Sequence, residues 1–216
     1  ILCVLPQMEQ AEQFAEDLAT LSPGLATFFP AWETLDQEEM PDVDILSQRL
    51  LLLRQLFDER HNRRRRVVVA PVQAVLQQAL TPEAIEADTL DLKVGQTFGP
   101  ERVAAWLADR EFTQAHQVEA PGEFSRRGGI LDVFPFTADL PLRIEFFGDD
   151  IESIREFDLD TQVSLRTMES CRVTAVTRRP GPGRSTGVTS VFRYLPEGAW
   201  LALSEPAELL HRAEEL

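Results

Sequence analysis

The 216-residue sequence has only two cysteines and one lysine. It also has no apolar run near the length of about 20 residues that a membrane-spanning helix requires. Two cysteines, Cys3 and Cys171, cannot build a disulfide framework, which favours a reducing environment. No basic segment followed by an apolar one opens the sequence, as a secretory signal would. These features predict a cytoplasmic protein without a membrane partner.

The sequence also lacks the usual motifs of catalysis and metal binding. It contains no G-x-x-x-x-G-K-[ST] phosphate loop, and its one lysine, Lys93, follows no glycine-rich segment. The three histidines, His61, His116 and His211, have no zinc-ligand spacing. The 36 acidic residues guarantee chance neighbours, so no carboxylate pair stands out as acid and base. We therefore expect no catalytic residue, no metal and no cofactor in this chain.

The formal net charge of −15 disfavours DNA binding, because a duplex is bound largely through phosphate neutralisation by basic side chains. One basic run, Arg63–Arg66, is the exception. It could contact phosphates, or it could be a loop between a helix and a strand. The first interpretation predicts nonspecific DNA binding with an affinity that falls steeply with salt.

The first third of the chain alternates short apolar strands with helices, which predicts a parallel sheet covered by helices. The predicted strands are 1–5, 27–29 and 67–71, and the predicted helices are 9–21, 44–57 and 72–80. A glycine- and proline-rich linker at 178–187 precedes a further buried strand, 199–203, and a helix, 206–216. These late elements resemble the first third in pattern.

Near residue 88 the pattern changes to strands in which apolar and polar residues alternate, separated by glycine-containing turns. Gly128-Gly129 and Gly148-Asp149-Asp150 both predict hairpins. The predicted domains are an α/β domain over 1–87, an inserted antiparallel α+β domain over 88–177, and a linker with the returning strand and helix of the α/β domain over 178–216.

One strand of the inserted domain has the composition of a binding surface. Strand alternation divides the segment 142–147 between two faces. Leu142, Ile144 and Phe146 are predicted to lie in the core, and Arg143, Glu145 and Phe147 on the solvent side. An aromatic ring beside two charges is typical of binding hot spots, although Phe147 could instead pack under a neighbouring loop. Arg127 adds a second guanidinium, a group suited to a partner's carboxylates.

The stretch from Gly122 to Leu165, GEFSRRGGILDVFPFTADLPLRIEFFGDDIESIREFDLDTQVSL, closely resembles the bacterial transcription-repair coupling factor family, Mfd. It also resembles the excision-repair helicase UvrB. Further segments resemble the Mfd module: FFPAWETL at 28–35, DILSQRL at 44–50, VVVAPVQAVLQ at 67–77 and LPEGAWLALSEPAEL at 195–209.

The resemblance implies a RecA-like domain without ATPase function that carries an inserted domain docking on UvrA, equivalent to UvrB-like domains 1a, 2 and 1b. The family's UvrA contacts correspond to Arg127, Arg143, Glu145 and Phe147. Ser125 stands where UvrB-type sequences tend to have another arginine. The resemblance further implies that, in the parent protein, later motor domains bind ATP and Mg, other domains contact RNA polymerase and DNA, and a later domain masks the docking face.

The alternative is a fragment of a UvrB-like helicase that binds ATP and damaged DNA. UvrB carries a tyrosine-rich hairpin that probes damage, whereas residues 30–43 here contain no tyrosine. The coupling factor is therefore the better match.

Overall fold

A computed structural model of the chain describes residues 1–32, 42–59, 66–175 and 187–216. The chain divides into two compact units. The first comprises Ile1–Pro82 together with Thr186–Leu216, and the second comprises Glu83–Ser185.

The first unit contains a parallel four-stranded sheet with strand order β14-β1-β3-β2. Its described elements are β1 (Leu2–Leu5), α1 (Met8–Leu21), β2 (Ala26–Phe28), α2 (Val43–Glu59), β3 (Val67–Pro71), α3 (Val72–Leu76), β4 (Ala79–Leu80), β13 (Val188–Thr189), a 3₁₀ turn (Val191–Tyr194), β14 (Leu201–Leu203) and α6 (Pro206–Glu215). The alternation of strands and helices predicted for the first third is confirmed.

Small side chains allow α1 to pack closely on the sheet. Ala11 and Ala15 of α1 are buried against Val69 of β3.

Arg49 of α2 is a buried charged residue of the first unit, and its Nη1 donates to the carbonyl oxygen of Pro30 at 2.6 Å. The Arg49 guanidinium lies 4.2 Å from the centre of the Phe29 ring, and burial lowers its pKa to about 9, so it remains charged at neutral pH.

Two predictions for this unit were wrong. The helix predicted over 72–80 ends at Leu76, because Gln77 is extended and Ala79–Leu80 instead pairs with Val188–Thr189 as an antiparallel ladder. The strand predicted over 199–203 begins at Leu201 and is not buried. Since β14 is an edge strand paired only with β1, Leu201 and Leu203 remain half exposed.

The second unit is built around a six-stranded sheet with order β11-β10-β9-β8-β7-β6, which is antiparallel except for the β6–β7 pair. Its elements are α4 (Pro82–Ala87), β5 (Thr89–Lys93), α5 (Pro100–Asp109), β6 (Thr113–Gln114), β7 (Glu123–Arg127), β8 (Ile130–Val133), β9 (Leu142–Phe147), β10 (Asp150–Phe157), β11 (Ser164–Met168) and β12 (Ser170–Thr174). β12 pairs with β5 in a separate ladder.

One face of the six-stranded sheet forms the core of the second unit. Val103 and Leu107 of α5 belong to the same buried cluster as Leu131, Ile144 and other apolar residues of the central strands. Both predicted hairpins are confirmed, since β7 pairs with β8 and β9 with β10. The face opposite the core carries polar residues of these strands, of which Ser125 and Asp132 are nevertheless buried.

Several sequence predictions concern residues outside the described part of the chain. Most of the linker at 178–187 and all of the Arg63–Arg66 run except Arg66 belong to this group. Arg66 donates from Nη1 to the side-chain oxygens of Thr27 and Gln55, both at 2.9 Å. Within the described ranges, no helix is both long and apolar enough to cross a bilayer.

The hairpin between β7 and β8 generates a stability prediction. A Cβ added at Gly129 would lie 2.8 Å from the carbonyl oxygen of Phe146, so the Gly129→Ala variant must move β8 away from β9. We expect it to lower the free energy of unfolding by about 1–3 kcal/mol, measured by denaturant titration followed by circular dichroism.

Gly128 supplies the matched control. It has a positive φ of 61° and open space at its Cβ, a conformation that asparagine tolerates. Gly128→Asn should therefore change stability by less than about 1 kcal/mol. Equal losses for the two variants would contradict this account of the hairpin.

Candidate protein-docking site

The predicted alternation of strand β9 is confirmed by its burial. Leu142, Ile144 and Phe146 are buried in the core of the second unit. Arg143, Glu145 and Phe147 therefore lie on the opposite face of the sheet, together with the neighbours that the strand register places beside them. We call this surface, comprising Arg127, Asp132, Arg143, Glu145 and Phe147, the polar face.

Phe147 projects from the polar face into solvent. Its residue is 80 % exposed, so the alternative that the ring packs under a neighbouring loop is wrong. Phe147 is the last residue of β9 and pairs with Asp150 across a turn in which Gly148 adopts a φ of 62°. The turn thus leaves the ring at the end of the hairpin, where no strand residue follows to cover it.

Arg143 is not the outward guanidinium that its position predicted, because only 17 % of its side chain is exposed. Its Nε and Nη2 donate to the two carboxylate oxygens of Asp132 at 2.7 and 2.9 Å. Its Nη1 and Nη2 also donate to the carbonyl and side-chain oxygens of Gln162 at 3.4 and 3.1 Å, and the guanidinium lies 4.4 Å from the centre of the Phe157 ring. The hydrogen bond to Asp132 raises the pKa of Arg143 further, against the opposing effect of burial.

Asp132 connects the two arginines of the polar face. Register pairing sets it directly opposite Arg143 on one side and Ser125 on the other, which puts Arg127 diagonally across the ladder. Arg127 donates from Nη2 to Asp132 Oδ2 at 3.3 Å, yet 53 % of the Arg127 side chain stays exposed. Arg127 is therefore the guanidinium that solvent, and a partner, can reach.

Glu145 is held on the polar face by two neighbours from β10. Ser153 Oγ donates to Glu145 Oε2 at 2.7 Å, and Arg155 Nη2 donates to the same oxygen at 2.9 Å. The Glu145 side chain is 26 % exposed. Its carboxylate is thus partly accessible, and its orientation is fixed by these bonds.

A tight turn after β10 carries the side chain that completes the surroundings of Arg143. Gln162 has a left-handed backbone with φ of 59°, and its N–H donates to the carbonyl oxygen of Asp158 at 2.8 Å. Thr161 donates to Asp158 Oδ1 from both its backbone N–H and its hydroxyl, which lowers the pKa of Asp158. These bonds fix the turn so that the carbonyl and side-chain oxygens of Gln162 can accept hydrogen bonds from Arg143.

Sequence reasoning missed three residues of this region: Asp132, Gln162 and Ile130. An acid within the apolar run Ile130–Val133 was a visible signal for Asp132, since a buried strand tolerates a carboxylate only when it is paired. Ile130 lies opposite both Arg127 and Glu145 and is 38 % exposed. The partnership of Gln162 with Arg143 spans 19 residues and left no local signal.

Ser125, which stands where UvrB-type sequences tend to have an arginine, does not contribute to the accessible surface. It is buried, and its hydroxyl donates to the carbonyl oxygen of His116 at 2.8 Å. Among the described residues, no group of three or more His, Cys, Asp or Glu side chains is arranged to hold a metal ion.

Residues 90–178 match the model of a protein family described as the UvrB interaction domain. The chain is also similar to transcription-repair-coupling factors. The identity is 30% over 171 residues with that of Escherichia coli (strain K12), which covers 79% of this chain and 14% of the relative. With the coupling factor of Bacillus subtilis (strain 168), the identity is 31% over 175 residues, which covers 80% of this chain and 14% of the relative. With that of Myxococcus xanthus, the identity is 31% over 217 residues, which covers 97% of this chain and 17% of the relative.

The chain therefore spans only about one-seventh of the length of the first two of these relatives.

The contacts of the polar face predict unequal effects on stability. Arg143→Ala should lower the free energy of unfolding by about 3 kcal/mol, because it removes the bidentate partner of a buried carboxylate. Arg127→Ala should cost less than about 1 kcal/mol, since that side chain is half exposed. Denaturant titration of both variants measures the difference. A loss for Arg143→Ala no larger than that for Arg127→Ala would contradict the assignment of Arg143 as the structural partner of the buried Asp132.

Proposed function

The chain belongs to the transcription-repair-coupling factor family, and on that premise we propose that it is a non-catalytic module that docks on UvrA. The match of residues 90–178 to the UvrB interaction domain supports the choice of partner. In this proposal the second unit makes the contact with UvrA. Its role is to bring excision repair to RNA polymerase that has stalled at DNA damage.

The observation that carries the proposal is the exposed ring of Phe147 on the polar face. A phenylalanine that is 80 % exposed costs the free protein solvation free energy, which burial against another protein recovers. Charged groups held at fixed positions flank it, with Arg127 half exposed and Glu145 partly so. An exposed ring at the end of the hairpin, on the same face as oriented charged groups, has the composition of an interface hot spot.

We further propose that the first unit is a degenerate RecA-like domain. Its parallel sheet, with order β14-β1-β3-β2, and its strand–helix alternation support that assignment. In this proposal, ATP and Mg are bound by motor domains elsewhere in the parent protein, and DNA and RNA polymerase by further domains.

The reported relatives are coupling factors, which favours this function over that of a UvrB-like helicase that binds ATP and damaged DNA. DNA binding through Arg63–Arg66 has less support. Arg66 of that run is already hydrogen-bonded to Thr27 and Gln55.

The direct test is a calorimetric titration of this chain with UvrA. Phe147→Ala should weaken binding by at least about 2 kcal/mol, or roughly 30-fold, because it removes the proposed anchor. Its folding stability should stay within about 0.5 kcal/mol of that of the parent sequence, since the ring makes little contact within the fold.

Phe192→Ala is the matched control, because Phe192 is an exposed phenylalanine of the first unit, outside the UvrB interaction domain. It should bind UvrA like the unmodified chain. Equal affinities for Phe147→Ala and the unmodified chain would refute the assignment of the ring.

We also propose that a later domain of the intact parent masks the polar face until RNA polymerase is engaged. This chain should then retain UvrA in a pull-down more strongly than the full-length protein does. The two proteins are immobilised at equal density and exposed to the same UvrA concentration, with Phe147→Ala versions of both as controls. Equal retention by the two unmodified proteins would argue against masking.

A further inference from the structure

Asp132 is the most deeply buried charged residue of the second unit's polar face, and the proposed contact residues do not include it. The residue is 2 % exposed. Its carboxylate accepts three hydrogen bonds, two from Arg143 and one from Arg127. Oδ2 is shared by the Nη2 groups of both arginines, at 2.9 and 3.3 Å. One buried acid thus determines where two guanidinium groups lie.

The two arginines are bound to Asp132 to very different degrees. Arg143 uses Nε, Nη1 and Nη2 in bonds to Asp132 and Gln162 and stacks over Phe157. Arg127 has a single, longer bond to Asp132 and keeps half of its side chain in solvent. Because a guanidinium has five N–H donors, most of those of Arg127 remain available to a partner.

We propose that Asp132 is a positioning residue, which uses Arg143 as a fixed counter-charge and holds Arg127 at the angle required to pair with a carboxylate of UvrA. This inference rests on the proposed docking function. Arg143 neutralises Asp132 on its own through the bidentate pair. Arg127 is therefore not needed to neutralise Asp132, and it can offer its other N–H groups to a carboxylate of the partner while its Nη2 keeps the bond to Asp132.

The pairing partner on UvrA is thus an aspartate or glutamate that approaches Arg127 beside the Phe147 ring. The rigid arrangement around Asp132 reduces the side-chain freedom that Arg127 loses on binding. Glu145, held by Ser153 and Arg155, limits the direction of approach, because it would repel an acid placed next to it.

The test is a double-mutant cycle of Asp132→Asn with Arg127→Ala, measured as UvrA affinity. Asparagine keeps the size of the side chain but replaces one acceptor oxygen with an NH₂ donor. That group cannot accept the hydrogen bonds that the Nη2 atoms of Arg127 and Arg143 donate to Asp132 Oδ2. Asp132→Asn should weaken binding about tenfold when Arg127 is present and about twofold or less when Arg127 is alanine.

A purely structural role for Asp132 predicts the same loss in both backgrounds, and that result would overturn the inference. Asp88→Asn is the matched control, because Asp88 is another partly buried acid of the second unit and pairs with Arg110 Nε at 3.2 Å. It should perturb stability without changing UvrA affinity.

The experiment distinguishes failure of this inference from failure of the docking proposal. If the unmodified chain binds UvrA and Phe147→Ala weakens it, but Asp132→Asn binds normally, only the role of Asp132 is refuted. If the unmodified chain does not bind UvrA, the docking proposal falls and the role of Asp132 falls with it.

A measurement on the unmodified chain keeps the inference testable if Asp132→Asn does not fold. Nuclear magnetic resonance of the arginine side chains should detect slow solvent exchange for the Nε proton of Arg143, which donates to Asp132 at 2.7 Å, and restricted rotation of the Arg127 guanidinium, whose Nη2 donates to Asp132 at 3.3 Å. Free rotation of the Arg127 guanidinium would show that Asp132 does not hold it and would overturn the proposal.

Discussion

The polar face of the second unit depends on the sharing of the Asp132 carboxylate between two arginines. A charge buried this deeply in a sheet is tolerated only when opposite charges and hydrogen bonds replace its water. Arg143 provides most of that replacement, and it in turn is held by Gln162 in the turn after β10. The Asp132–Arg143 ion pair therefore links strand β8 to strand β9, and the hydrogen bonds from Arg143 to Gln162 extend this link to the turn after β10. Removing it would disturb the fold as well as the surface.

The arrangement separates two tasks that the sequence had assigned to one group of residues. Arg143 and Asp132 neutralise one another and give the surface its shape, whereas Phe147 and Arg127 remain accessible. Such preorganisation lowers the entropy cost of binding, because the accessible groups stand on a framework that is already fixed. For the proposed contact with UvrA, the four residues expected from the family are therefore not equivalent, and Arg143 contributes mainly through its neighbours.

The success and the failure of the sequence-based predictions have a common physical cause. Period-2 alternation correctly assigned Ile144 to the core and Phe147 to the other face, because a strand allows no other arrangement. It could not predict that most of the Arg143 side chain is covered, since a face of a sheet is exposed only where nothing covers it. Asp132 and Gln162 cover Arg143 from 11 and 19 residues away. Likewise, Leu201 fits a buried strand by its pattern, but its exposure depends on which strands pair.

The charge on the polar face also bears on how a protein of net charge −15 could recognise a partner. Three guanidinium groups, those of Arg127, Arg143 and Arg155, lie among two carboxylates, those of Asp132 and Glu145. With the carboxylate of Asp150, which pairs with Phe147 across the hairpin, these charges sum to zero. Long-range attraction from such a cluster is weak and is screened within about 10 Å at ordinary salt concentrations. Recognition at this surface must therefore come from contact geometry, namely the fit of the Phe147 ring and the direction of the Arg127 fork. That requirement explains why the surrounding charges are held so firmly, and it distinguishes this surface from a DNA-binding one, which needs a net positive field.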